Sequence, residues 1–298
     1  MTGPVLVFGA TGYLGRHVHA ALAAEHEVVT VGGRNRDADY RIDLTARSGA
    51  ATVAALLTAV APVAVVNCVG VTGGELTGLV AANVPAVAAL LEAAALAAPG
   101  IRLVHLGSAA EYGPCVPGQP LAESMAPRPV GAYGVSKLAG SELVRQNGTV
   151  DGVVLRVFNP LGPGAPDSSL PGRLAAELRR AAAAGDAVRL GRLDAWRDFV
   201  DVRDVGAAVA AAVRAPDAGG RVLNVGAGRA VPVADLVSAM ATAADYRGEV
   251  RELGPGSARS AAVSWQQADI RQAREVLGWR PCYDLAAAVQ DLWLASAP

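Results

Sequence analysis

Tyr133 and Lys137 stand four residues apart in Tyr133-Gly134-Val135-Ser136-Lys137. On a helix this spacing puts both side chains on one face, one turn apart. An isolated phenol titrates near pH ~10 and is a sluggish acid–base group at neutral pH. A neighbouring ammonium stabilises the phenolate and brings it toward a working range. Ser108, in Gly107-Ser108-Ala109-Ala110-Glu111-Tyr112-Gly113, places a hydroxyl just beyond the expected strand Ile101–Leu106. That hydroxyl can hold a carbonyl oxygen while Tyr133 gives it a proton. Ser108, Tyr133 and Lys137 are therefore the candidate catalytic set for interconverting a ketone and an alcohol.

Such chemistry needs a hydride carrier, and the N-terminal segment is suited to one. The apolar run Val5–Phe8 leads straight into Gly9-Ala10-Thr11-Gly12-Tyr13-Leu14-Gly15, which opens a helix. Glycines here let the backbone turn tightly against a pyrophosphate, whose charge meets the helix N-terminal amides. The spacing is GxxGxxG, and its position after the first strand gives it its weight. The second strand ends Val31-Gly32-Gly33-Arg34, without the carboxylate that would bind a ribose hydroxyl. A guanidinium there pairs with a 2′-phosphate, so Arg34 is the candidate for NADP(H) selection, with Arg16 or Arg36 assisting. Asp43-Leu44 is placed for the adenine. Lys137 and Tyr133 also face the nicotinamide ribose.

The elements that must hold these residues alternate in type. Strands are expected at Val5–Phe8, Val28–Val31, Val63–Val69, Ile101–Leu106 and Val153–Phe158. Helices are expected at Leu14–Ala24, Thr52–Val60, Leu79–Ala98 and Gly131–Gln146. Nearly continuous apolar strands alternating with helices predict an α/β fold, a Rossmann-type doubly wound parallel sheet covered on both faces. After Asn159 a Pro/Gly/Ser-rich stretch, Asn159–Gly172, reads as a functional loop. Further helices at Arg173–Ala184 and Val202–Arg214, and a strand at Val222–Val225, suggest a smaller C-terminal α/β lobe for substrate. The expected division is residues 1–160 for NADP(H) and 161–298 mainly for substrate, with about 195–215 returning to pack on the first unit.

Composition narrows the partners. The 298 residues are 52% hydrophobic and 18% charged with a net charge of −1, which argues against nucleic acid or an anionic membrane as partner. The Ala-rich Val80–Ala98 is interrupted by Asn83, Pro85 and Glu92, so no membrane span is expected. Cys68, Cys115 and Cys282, and His17, His19, His26 and His105, lack metal-ligand spacing, so neither metal nor disulfide is expected. Free thiols and the lack of a basic leader before Pro4–Phe8 fit a cytoplasmic protein.

Several motifs in order resemble the extended short-chain dehydrogenase/reductase family, also called the NAD-dependent epimerase/dehydratase family. They are Gly9–Gly15, Asn83-Val84-Pro85, Ser108–Gly113, Tyr133–Lys137, Leu155–Gly164, Arg197–Val205 and Leu277–Pro281. The resemblance covers nearly the whole chain and implies a nucleotide-diphosphate sugar as substrate. It places Asn159 and Ser108 against the sugar and Arg197 on the diphosphate. Arg259 is a second candidate there, or else a surface arginine. Members that dehydrate sugars carry acidic residues where this chain has Ala109 and Ala110. Epimerase–reductases carry a cysteine where it has Ala110, and a later histidine that it lacks. Reduction of a 4-keto sugar and 4-epimerisation through transient oxidation need only Ser, Tyr and Lys. Gly32-Gly33-Arg34 and Glu111-Tyr112-Gly113 favour NADPH-dependent 4-ketoreduction, with a 4-epimerase or a reductase of non-sugar ketones as alternatives. Glu111 itself could face substrate or sit solvated beyond the strand. The resemblance also implies a homodimer through Leu79–Ala98 and Gly131–Gln146, unless the monomer buries those faces.

Overall fold

A computed structural model describes residues 3–33, 37–253 and 262–296. Strands β1 (Val5–Phe8), β2 (Val28–Gly32), β3 (Tyr40–Arg41), β4 (Ala64–Asn67), β5 (Arg102–Ser108), β6 (Asp151–Val157) and β10 (Val222–Val225) form one sheet. Its order is β10-β6-β5-β4-β1-β2-β3, and its pairings are parallel. Every residue of β1, β4 and β5 is buried, as a sheet covered on both faces requires. The fold class read from the sequence is the one observed. The order reverses at β1, where the next strand in the chain lies on one side and β4 on the other. The C-terminal edge there is where such sheets take ligands.

Helices cover both faces. On one side α1 (Tyr13–Leu22) and α7 (Val202–Arg214) bury Val18, Leu22, Val205 and Val209 against β1 and β6. On the other, α2 (Gly49–Val60), α4 (Pro85–Ala97) and α5 (Gly131–Gln146) bury Val53, Leu56, Leu90 and Val144. A Cβ on Gly206 would lie 2.6 Å from His17 O, so α7 packs this tightly on α1 only because residue 206 is glycine. The return to the main sheet extends past residue 215, because β10 takes its edge beside β6.

The long helix expected at Leu79–Ala98 is two. Helix α3 (Leu76–Asn83) stops at Val84 (φ −123°, ψ −67°), and α4 begins at Pro85. Proline lacks the N–H that the helix needs and disfavours helical geometry at the residue before it. Together Leu76–Ala97 is long and apolar enough to cross a membrane by length and composition, yet half of it is buried within the fold.

The stretch expected as an open loop, Asn159–Gly172, is partly ordered. Asn159–Leu161 is strand β7, parallel to β9 (Trp196–Asp201), and β11 (Ala230–Pro232) flanks β9 on its other side. Helix α6 (Leu170–Ala184) starts early because Ser169 Oγ accepts from Gly172 N at 3.1 Å and Pro171 lies in its first turn. Helix α8 (Val233–Ala243) and the last helix, α10 (Leu285–Ala295), join α6 around a separate core of Leu161, Leu174, Phe199, Leu236, Met240 and Leu292. A short ribbon of β8 (Val188–Leu190) and β12 (Val250–Glu252) borders it, and α9 (Arg271–Leu277) packs back on β10 and α7.

Candidate active site

The glycine loop forms a backbone cradle at the end of β1. Gly9 has φ +77°, and a Cβ there would lie 3.0 Å from Val69 N. A Cβ on Gly15 would lie 2.0 Å from Gly9 O, so helix and strand meet only without a side chain. Gly12, at the N-cap of α1, is exposed, and Thr11, Tyr13 and Leu14 are half-buried around it. Amides at a helix start with no side chain over them fit a dinucleotide pyrophosphate. Tyr13 OH donates to Gly162 O (3.4 Å) and His17 Nε2 lies 3.0 Å from Pro163 O, which ties α1 to the segment after β7.

Other expected cofactor residues fare differently. Arg34, Arg36 and Arg259 lie outside the described residues. Arg16 turns to Gly12 O (3.4 Å) and faces Gly164. Asp43 Oδ1 accepts from Thr45 N (2.9 Å), which shapes the turn after β3. Leu44 is buried with Phe8 and Val31, so its side chain belongs to the core.

Ser108 ends β5, and its Oγ accepts from Ala110 N (3.2 Å) at the start of a 3₁₀ turn, Ala109–Glu111. Tyr133 lies half-buried in the first turn of α5. A Cβ on Gly134 would be 2.6 Å from Ala110 O, so this turn is pressed onto the segment that follows Ser108. Lys137 is 5% exposed, and its Nζ donates to Leu106 O at 2.6 Å. Nearby, Asn83 on α3 donates to Ser136 Oγ (3.0 Å) and accepts from Val71 N (3.2 Å), holding α5 against the segment after β4. A Cβ on Gly70 in that segment would lie 3.7 Å from Lys137 Nζ. The fold thus brings Ser108, Tyr133 and Lys137 to one sheet edge beside the glycine cradle. Burial draws Lys137 from its ordinary value down to about 8, and Glu111 and then Cys68 push the other way.

Strand β6 pairs Val157 with Ser108, so Asn159 emerges at the same edge. Its Nδ2 donates to Asp198 O (2.9 Å). Arg197, beside it on β9, is buried, with Nη1 donating to Trp196 O (2.7 Å). Asp198 is fully buried and accepts from Ala227 N, Gly228 N and Ala268 N, fastening β9 beneath the site. Burial raises its carboxyl to about 6 against those same bonds.

The structure adds residues that the sequence reading did not assign. Gln266 is buried, donates to Ala109 O (3.3 Å) and lies 3.5 Å from Asn159 Nδ2, joining the Ser108 turn to the Asn159 strand. Cys115 donates to Trp265 O (2.8 Å), and burial raises its thiol above the ordinary value. Glu111 neither faces a sugar nor meets solvent: it is completely buried and bonded to Ser108 N and Arg156. The strand-end environment that suggested exposure is roofed by α5 and β6. Lys137 carried one more signal, since it is the only lysine in the chain. Every other fixed side-chain cation is an arginine, which stays charged in proteins.

Among the described residues, no group of three or more His, Cys, Asp or Glu could hold a metal. Residues 5–226 match the NAD dependent epimerase/dehydratase family. The dTDP-6-deoxy-L-talose 4-dehydrogenase (NAD(P)(+)) of Kitasatospora kifunensis is 37% identical, over 98% of this chain and 95% of its own. The GDP-6-deoxy-D-mannose reductase of Pseudomonas aeruginosa is 28% identical over 94% and 93%. The structure of RMD from Pseudomonas aeruginosa complexed with NADPH superposes with a TM-score of 0.84 at 25% identity, covering 99% of this chain and 97% of that one. With the glycine cradle, the Ser108 turn and the Tyr133–Lys137 helix in one parallel sheet, these likenesses span the whole molecule, and the chain belongs to the NAD dependent epimerase/dehydratase family.

Proposed function

We propose that the protein is an NADP(H)-dependent oxidoreductase that reduces the C4 ketone of a nucleotide-activated 4-keto-6-deoxyhexose. The observation that carries this reading is the convergence of Ser108, Tyr133 and buried Lys137 at the sheet edge, with Ala109 and Ala110 where elimination or epimerisation would need acid–base groups. The Kitasatospora relative is named for oxidation at C4 of a dTDP-linked 6-deoxyhexose, the reverse of this reduction, and the Pseudomonas relative for a reduction, and both support it.

The nicotinamide supplies the hydride when bound. Tyr133 gives its phenolic proton to the C4 oxygen, and the Ser108 hydroxyl donates a second hydrogen bond to the same oxygen. Lys137 stabilises the tyrosinate that remains, at no cost in reorganisation because Leu106 O already fixes its Nζ. Asn159 and Arg197 hold the sugar and diphosphate, and Arg34 selects the 2′-phosphate. Arg259 serves as a second cation at the diphosphate. Incubation with NADP⁺ and dTDP-6-deoxy-L-talose should raise reduced-nicotinamide absorbance, more with NADP⁺ than with NAD⁺. Interconversion of C4 epimers with no added nicotinamide and no absorbance change would replace this reading with a 4-epimerase.

Because the ammonium form of Lys137 is the working one, charge is lost as pH rises through about 8. Reductive kcat/KM should therefore be level below that pH and fall above it. A profile still level two pH units higher would remove Lys137 from the proton transfer.

The protein is further proposed to form a homodimer through α3, α4 and α5. Leu76, Val80, Val135 and Leu143 leave an exposed apolar strip on α3 and α5. Val135→Glu with Leu143→Glu should give a monomer by sedimentation velocity, and an unchanged sedimentation coefficient would place the interface elsewhere.

A further inference from the structure

Beneath Ser108 lies a carboxylate that the proton transfer above does not use. Glu111 is 0% exposed. Its Oε1 accepts from Ser108 N at 2.7 Å and from the Ser141 hydroxyl at 2.8 Å, while Oε2 pairs with Arg156 Nε at 2.7 Å. These donors come from the end of β5, from α5 and from β6. Ser141 lies one turn beyond Lys137 on α5. The oxygen that fixes the Ser108 backbone therefore also fixes the helix face carrying Lys137. Gly107 makes the room, since a Cβ there would lie 2.7 Å from Oε1.

The same carboxylate is also an electrostatic neighbour of the catalytic lysine. Lys137 is buried, which disfavours its charge, and Glu111 is the first group opposing that penalty. Its other titratable neighbours are Cys68 after β4, His105 on β5 and Tyr133 on its own helix. Burial pushes Cys68 up to about 12 and holds His105 well below its ordinary value. Near neutral pH both are uncharged, so neither replaces Glu111. Arg156 faces Glu111 from β6 and lies 4.6 Å over the Tyr112 ring, and Tyr112 OH in turn donates to Asn224 Oδ1 at 2.7 Å.

We propose that Glu111 is a positioning residue for the reaction. Its buried carboxylate sets the Ser108 backbone and the Lys137 turn of α5 from one point, and supplies the negative charge that keeps the Lys137 ammonium charged. The proposal rests on the reading of Ser108, Tyr133 and Lys137 as the catalytic set.

The test uses the chain's single lysine. Labelling with [¹³Cε]lysine gives one resonance, whose chemical shift against pH titrates Lys137 directly and needs no substrate. In Glu111→Gln its midpoint should fall about one pH unit below that of the wild type. The high-pH limb of reductive kcat/KM should move down with it, with the sugar KM at neutral pH within about twofold. A midpoint within about 0.2 of the wild type would overturn the proposal, because a merely structural residue leaves the lysine where it was. Loss of activity with no displacement of the midpoint would overturn it too. Should Glu111→Gln fail to fold because Arg156 is left buried and unpaired, Glu111→Gln with Arg156→Met removes both charges and allows the same titration. A wild type inactive on 4-keto sugars would instead refute the functional reading, and the titration would still decide the role of Glu111.

Discussion

Tyr133→Phe is expected to lower single-turnover reduction about 10³-fold while leaving NADPH affinity within about twofold. The substitution removes one oxygen from a half-buried ring at the first turn of α5 and leaves Gly134 packed on Ala110 O. The loss corresponds to about 4 kcal/mol of barrier, the size expected when a general acid is removed and the remaining site is intact. Ser108→Ala should cost less, about 10²-fold, because Ser108 only shares the developing charge on oxygen. Fluorescence titration with NADPH separates binding from chemistry. A Tyr133→Phe enzyme within tenfold of the wild type would assign the proton to another group.

Gly15→Ala is expected to do the reverse, weakening NADPH binding about 100-fold or more, equivalent to at least ~2.7 kcal/mol. The added carbon would sit 2.0 Å from Gly9 O and 2.8 Å from Ala10 Cα, both backbone atoms that no rotamer change can move aside. The turn must open, and its amides then leave the positions that meet a pyrophosphate. A thermal midpoint lower by several degrees should accompany the loss, because strand and helix separate at the centre of the sheet. Near-normal NADPH affinity in a folded Gly15→Ala protein would mean that the cradle is not the cofactor site.

The central sheet was legible in the sequence because β1, β4 and β6 are buried almost throughout and so read as nearly continuous apolar runs, interrupted by Asn67 at the end of β4 and by Asp151 and Arg156 in β6. The break at Val84 was legible as well, since Pro85 is its cause, but the Ala/Leu-rich stretch on either side outweighed it. Strands β7, β9 and β11 were not. They have three to six residues, include Pro160 and Pro232, and are strands only because they pair with each other.

The site divides the same way. Ser108, Tyr133 and Lys137 are proposed from spacing and order, and the fold brings the segments that carry them together. Ser108-x-x-Glu111 is a capping-box pattern, and the structure makes both of its bonds, so the burial of Glu111 had a local signal. Gln266 had none, because its neighbours Ala109 and Asn159 lie 157 and 107 residues away and only the tertiary fold joins them.

The most direct test is to add dTDP-4-keto-6-deoxyglucose, generated enzymatically, and follow nicotinamide absorbance with NADPH and NADH separately. Rapid oxidation is expected, faster with NADPH and lowered about 10³-fold by Tyr133→Phe. Tight NADPH binding with no turnover of that ketone by either cofactor would contradict it.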